Sequence, residues 1–114
     1  MALTVKTLYD GQLGLTARTT LYAVPLGKAA IVKNIRIVNR DTVARTINIY
    51  YLRSGLANTT ANVRYLLQVN LSIAASLLAV DANEITLGAL DQIVGDCNAA
   101  SMLDCVISGI ERDA

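Results

Sequence analysis

Ile31-Val32-Lys33-Asn34-Ile35-Arg36-Ile37-Val38-Asn39 is rich in β-branched residues and alternates with a period of two. Ile31, Ile35 and Ile37 fall on one face with Lys33 between them, while Asn34 and Arg36 fall on the other. That period predicts a half-buried strand. Asn39-Arg40-Asp41-Thr42 is a polar connection, and Ala44 to Arg53 alternates again. There Ile47, Ile49 and Tyr51 share one face, and Thr46, Asn48 and Tyr50 share the other. The two runs are close in sequence and matched in length, which predicts that they pair as a hairpin.

The same reading extends upstream. Pro25-Leu26-Gly27-Lys28 is a turn, with proline presetting its first φ and glycine able to take a positive one. Thr19 to Val24 before it reads as a strand. So does Leu3 to Tyr9, with Leu3, Val5 and Tyr9 on one face and Asp10-Gly11 as the following turn. Residues 1–12 are expected to be an N-terminal arm or an edge strand.

Downstream, Ser54 to Asn62 is a small polar loop and Val63 to Leu71 alternates. Leu71 to Leu78 fits a short helix or a strand, ahead of a turn at Asp81-Ala82-Asn83. Glu84 to Leu87 is short and extended, Gly88-Ala89-Leu90-Asp91 is a turn, and Gln92 to Cys97 is a strand. Asn98 to Ser101 is a tight connection, and Met102 to Ile110 places Leu103, Cys105 and Ile107 on one face. About eight antiparallel strands with a turn signal roughly every ten residues predict an all-β chain, a single β-sandwich or jelly-roll-like domain over residues 1–114. Chain ends fray unless they are tied down, so both end strands are expected to pair into a sheet or lie on a neighbour.

The composition excludes more chemistry than it offers. There is no histidine, which removes the commonest general base and metal ligand and every Ser-His-Asp or Cys-His arrangement. No phosphate-binding glycine loop, GxGxxG or HExxH occurs. The reading is of a non-enzyme with no cofactor. Asp91 and Asp96 sit five residues apart across a turn and read as solvated loop residues, a poor calcium shell by themselves. Cys97 and Cys105 fit no redox or zinc spacing and read as two small buried side chains, with a disulfide open only if a hairpin sets them opposite each other.

Partners are read from surface and charge. With 54% hydrophobic residues and a mean hydropathy of +0.44, so short a chain is expected to keep apolar surface for a partner, although its many alanines inflate the count. No run reaches the roughly 18 apolar residues of a membrane helix, and the first ten residues do not read as a secretory signal. Residues 1–64 carry nine basic and two acidic side chains, and residues 65–114 carry one basic and seven acidic. Either one copy's basic surface meets the next copy's acidic surface, or the two halves pair within one chain. Arg36, Arg40, Arg45, Arg53 and Arg64 could form a basic stripe, but a net charge of +1 and few aromatics disfavour nucleic acid. Of Tyr50 and Tyr51, one ring is expected in the core and the other outside, as a partner anchor or a cross-strand packing residue.

Three segments resemble small virion proteins of tailed bacteriophages. They are the run from Thr20 through Pro25-Leu26-Gly27-Lys28 to Asn39, the strand–turn–strand Ile85 to Ile93, and Val106-Ile107-Ser108-Gly109-Ile110-Glu111. Leu26 stands where the pattern has alanine, and Leu90 where it has glycine. The resemblance implies a β-sandwich on the phage particle, present in the host cytoplasm during assembly. The leading expectation is a head decoration or cement subunit that binds the outer face of the capsid and bridges copies of the major capsid protein, itself a dimer or trimer. A tail or fibre component is the alternative, and a carbohydrate-binding module is a third. Candidate contact residues are Leu3, Val5 and Tyr9 of the N-terminal arm, the loop arginines Arg40, Arg45 and Arg53, and Tyr50.

Overall fold

A computed structural model describes residues 3–12, 18–59, 61–71, 76–79, 85–97 and 103–113. Among them every regular element is a strand: β1 (Leu3–Gln12), β2 (Thr19–Ala23), β3 (Lys28–Asn39), β4 (Arg45–Leu52), β5 (Arg64–Leu71), β6 (Ser76–Ala79), β7 (Ile85–Leu87), β8 (Gln92–Cys97) and β9 (Leu103–Asp113). One sheet has the order β1-β9-β3-β6, with β7 also pairing on β3, and the other has the order β2-β8-β4-β5. All pairings are antiparallel. They nest around the β4–β5 hairpin: β3 pairs with β6 and β7, β2 with β8, and β1 with β9. A hairpin wrapped in this way is the jelly-roll plan, in which both sheets bury their inner faces against each other.

The core between the sheets is aliphatic. Val32, Ile35, Ile37, Leu103, Cys105 and Ile107 of one sheet meet Ile47, Ile49, Ile93 and Cys97 of the other. Full burial of each aliphatic side chain contributes roughly 1.5–3 kcal/mol.

The expected hairpin between Ile31–Asn39 and Ala44–Arg53 does not form, because β3 and β4 lie in different sheets. A polar corner turns the chain between them. The fully buried Asn39 donates through Nδ2 to the carbonyls of Val43 and Leu71, and its Oδ1 accepts from the Asp41 amide. Arg45 then pairs with Asp41. These bonds satisfy the corner's backbone without a sheet ladder, and β4 instead pairs with β5 and β8.

Two β-bulges overturn two expected faces. Lys33 is an extra residue in β3, since Val32 pairs with Gly109 and Asn34 with Ser108. Val32, Ile35 and Ile37 therefore face the core, and Ile31 points outward. Leu8 is likewise extra in β1, between Thr7 opposite Ser108 and Tyr9 opposite Ile107. Val5 thus belongs to the outer face and Tyr9 to the inner one, while the side chain of Leu3 lies outside the described residues. An inserted residue reverses the alternation beyond it. The turn expected at Asp10-Gly11 is also absent, because β1 runs on through Gln12. Ser76–Ala79 is extended, whereas residues 72–75 and the expected connections at 81–83 and 98–101 lie outside the described residues.

The turn after β2 keeps its glycine role, with Gly27 at φ 79° and the Lys28 amide donating to the Pro25 carbonyl. Proline therefore sits one place earlier in the turn than expected.

A polar link spans the sandwich interior. Tyr22 Oη on β2 donates to Glu111 Oε2 on β9, and Lys6 Nζ of β1 lies 3.2 Å from the other carboxylate oxygen. The Tyr22 hydrogen bond, helped by Lys6, holds the Glu111 carboxyl below its ordinary 4.5. A carboxyl depressed on folding adds stability above its unfolded value, and the addition disappears as pH falls through the folded value. Glu111→Gln is expected to cost about 1–3 kcal/mol at neutral pH and less at acid pH. Urea midpoints measured from pH 7 to pH 3 check this, and a pH-independent cost would contradict it.

Candidate partner interface

Asp91 organises one end of the sandwich. It follows Leu90 in the turn between β7 and β8, and it is buried. Its Oδ2 accepts from the Gly88 amide and from Tyr51 Oη, each at 2.9 Å. Its Oδ1 accepts from the Ser54 amide at 2.9 Å. The backbone joins the same cluster, because Val24 N donates to the Asp91 carbonyl and Leu90 N to the Val24 carbonyl. The loops after β2, β4 and β7 are thereby locked together. Burial, and then the bond to Asp91, raises the Tyr51 phenol above its usual range.

The locked loops hold apolar side chains in solvent. Leu26 is 80% exposed and Leu90 is 49% exposed. Leu90 also sits at φ 66°, where a residue with a Cβ costs roughly 1–2 kcal/mol and glycine nothing. An exposed leucine in that conformation is doubly unfavourable for folding alone. Beside it, Tyr51, Arg53, Leu56, Asn62 and Arg64 line a groove of about 170 Å³. Arg64 Nη1 donates to the carbonyls of Ala61 and Val63, which fixes its guanidinium at the groove.

The expected contact residues do not converge. Arg53 lies at this end. Arg40 and Arg45 lie at the opposite end, paired with Asp104 at 3.0 Å and with Asp41. Val5 is 82% exposed on the outer face of its sheet, in a cross-strand row with Ile110 and Ile31. Leu3 starts the same strand opposite Arg112, and its side chain lies outside the described residues.

Tyr50 is covered, only 3% exposed, so the outward ring expected of the Tyr50-Tyr51 pair is not available there. It faces away from the main core and forms a second cluster with Leu52, Val63 and Val94. The Tyr65 ring packs on it at 4.8 Å, and the Arg18 guanidinium lies 5.7 Å from its centre. Its hydroxyl donates to Asp96, which also accepts from Asn48 Nδ2, both at 2.8 Å. Asp91 and Asp96 are therefore buried hydrogen-bond acceptors rather than solvated loop residues.

The arginines form no stripe, since Arg36 lies on a sheet face and the others are divided between the two ends. Part of the charge asymmetry closes within the chain. Lys6, Lys28 and Arg40 of the basic half pair with Glu111, Asp113 and Asp104 of the acidic half.

Cys97 and Cys105 lie on strands of opposite sheets, both buried and neither in a disulfide. Burial pushes the Cys105 thiol up to about 12. Both thiols are expected to resist a maleimide in the native chain and to react fully in urea. Rapid native labelling of either would contradict their burial.

Sequence reasoning missed Leu56 and the structural role of Asp91; it named Arg64 only within a possible basic stripe and Leu26 only as a departure from the resembled pattern. The available signal was an apolar side chain at turn positions where the resembled pattern has alanine or glycine.

No family model matches the sequence, and no curated protein sequence matches it. Solved structures share the fold. A chain of the Bacillus endospore appendages, described as a novel family of disulfide-linked pili, superposes with a TM-score of 0.56 at 11% identity, over 98% of this chain and 88% of that one. A chain of the T13 particle of the virus IBDV superposes with a TM-score of 0.57 at 9% identity, over 96% of this chain. The present chain corresponds to 30% of that viral chain.

Proposed function

We propose that the chain is a non-catalytic structural subunit of an assembled particle, and specifically a tailed-bacteriophage head decoration protein. It binds the outer face of the capsid and bridges major capsid subunits. The observation that carries the reading is the locked loop end, where a buried carboxylate holds Leu26 and Leu90 exposed. A loop backbone already ordered by these bonds loses little further conformational entropy on binding, so the surface suits a partner better than it suits a free monomer. The jelly-roll plan, common among proteins that build shells, and the three phage-like sequence segments support the same reading.

Attachment is non-covalent. Both cysteines are inside the sandwich, so the chain does not link copies through them as a disulfide-bonded pilus would. Many copies on a shell make modest individual contacts effective.

Copy number in purified virions tests the proposal, by quantitative mass spectrometry against the major shell protein. A simple ratio to shell subunits is expected. A handful of copies per particle would assign the chain to the tail, and its absence from particles would remove both virion roles.

A further inference from the structure

We propose that the groove between Arg53 and Arg64 is a carboxylate-binding site that receives an acidic residue, flanked by an apolar one, from an extended segment of a protein partner. The assignment of that partner as a capsid subunit rests on the reading above, whereas the site itself rests on the groove. Three observations carry it.

The groove's charged lining is of one sign: two arginines beside Tyr51, Leu56 and Asn62. Asp91, whose carboxylate bonds to Tyr51 of the groove, is buried and takes its three hydrogen bonds from Gly88, Ser54 and Tyr51 rather than from either arginine. Three basic side chains elsewhere on the chain pair with Glu111, Asp113 and Asp104. Arg53 is exposed, and Arg64 spends one nitrogen on backbone carbonyls while its fork stays fixed. A planar guanidinium held this way presents the geometry that binds a carboxylate most strongly.

The walls are also suited to a side chain next to that carboxylate. The Tyr51 ring, on β4, is fixed through its hydroxyl, and Leu56 stands on the loop that follows β4. The loop is itself ordered, by Leu56 N to the Arg53 carbonyl and by Asn62 Nδ2 to the Ala57 carbonyl. Rigid aromatic and arginine groups in a pre-ordered concavity are the usual anchors of peptide recognition.

The test uses the full chain, ¹⁵N-labelled, titrated with the peptide acetyl-Gly-Leu-Asp-Leu-Glu-Gly-amide. Its neutral twin carries Asn and Gln in place of the acids. Saturable shifts are expected at residues 53–56 and 61–64, with the twin binding about tenfold more weakly. Arg53→Ala is expected to weaken the acidic peptide by a similar factor, and Arg36→Ala to leave it unchanged. Arg64→Gln gives a second reading wherever the amide spectrum shows a native fold. Equal binding of the twin, shifts centred on Arg40 and Arg45, or no saturable shift at millimolar peptide would each overturn the site. Those results leave the copy-number measurement untouched, so the site and the particle role fail separately.

Discussion

Gly109→Ala is expected to leave little folded protein. Gly109 lies on the inner face of β9, between Lys6 of β1 and Val32 of β3. A Cβ built there would sit 2.2 Å from the Ile31 carbonyl oxygen and 2.9 Å from Leu8 Cδ1. The first contact is with backbone, so no rotamer change relieves it. Both offending groups are where they are because of the bulges: Leu8 is the inserted residue of β1, and Ile31 precedes the insertion at Lys33 in β3. Strands on both sides would have to move at the centre of one sheet. The cost is expected to exceed about 4 kcal/mol, a large share of the 5–15 kcal/mol that holds a domain together. Gly55→Ala is the control. Gly55 has φ 82° but open space around it, so the expected cost is only roughly 1–2 kcal/mol. Urea unfolding followed by circular dichroism separates the two. A cooperative Gly109→Ala transition near the wild-type midpoint would mean that the bulges relax freely.

The bulges also explain where the sequence could be read and where it could not. Strand positions follow from local rules: alternation marks a half-buried ribbon, and Pro25-Leu26-Gly27 or Gly88-Ala89-Leu90-Asp91 marks its end. Nine strands appear among the described residues, close to the number the turns imply. Faces are a less local property. Ile31, Ile35 and Ile37 look equivalent by parity, and nothing in their side chains announces that Lys33 is inserted between them. Val5 and Tyr9 part for the same reason at Leu8.

Pairing is less local still. β3 and β4 look like a hairpin by length and proximity, and the corner that separates them depends on Asn39 reaching the carbonyl of Leu71, 32 residues away. The site was legible only in part. Arg53 was found because charge is visible in a sequence. Asp91 was passed over because burial of a turn aspartate depends on Tyr51 of β4 and Ser54 of the loop after it, which only the folded chain brings near.

Asp91→Ala tests whether that carboxylate is the keystone of the interface end. Its removal leaves three donors without their acceptor: the Gly88 and Ser54 amides and the Tyr51 hydroxyl. Hydrogen bonds to a charged group are worth about 1.5–3 kcal/mol each, and buried donors left unpaired cost about 1–3 kcal/mol. Water entering the vacated space recovers part of this, so a net loss of about 3–4 kcal/mol is expected. Asp91→Asn should cost less, about 1–3 kcal/mol, because one oxygen remains and the Tyr51 hydroxyl can turn to accept from the new amide. The second backbone donor still faces an NH₂ group. The order wild type, Asn, Ala is therefore expected in urea midpoints with an unchanged m-value.

Hydrogen exchange makes the local claim. Amides of residues 53–56 and 88–91 should lose protection in Asp91→Asn under conditions where β3 and β9 keep theirs, since the defect loosens the loops before it unfolds the sheets. If protection falls uniformly along the chain, Asp91 supports the whole sandwich and the loop end is not a separately ordered surface. If it falls at the loops alone, the exposed leucines and the arginine groove depend on one buried carboxylate. Docking to a particle should then weaken in Asp91→Asn by more than the fraction of unfolded chain explains.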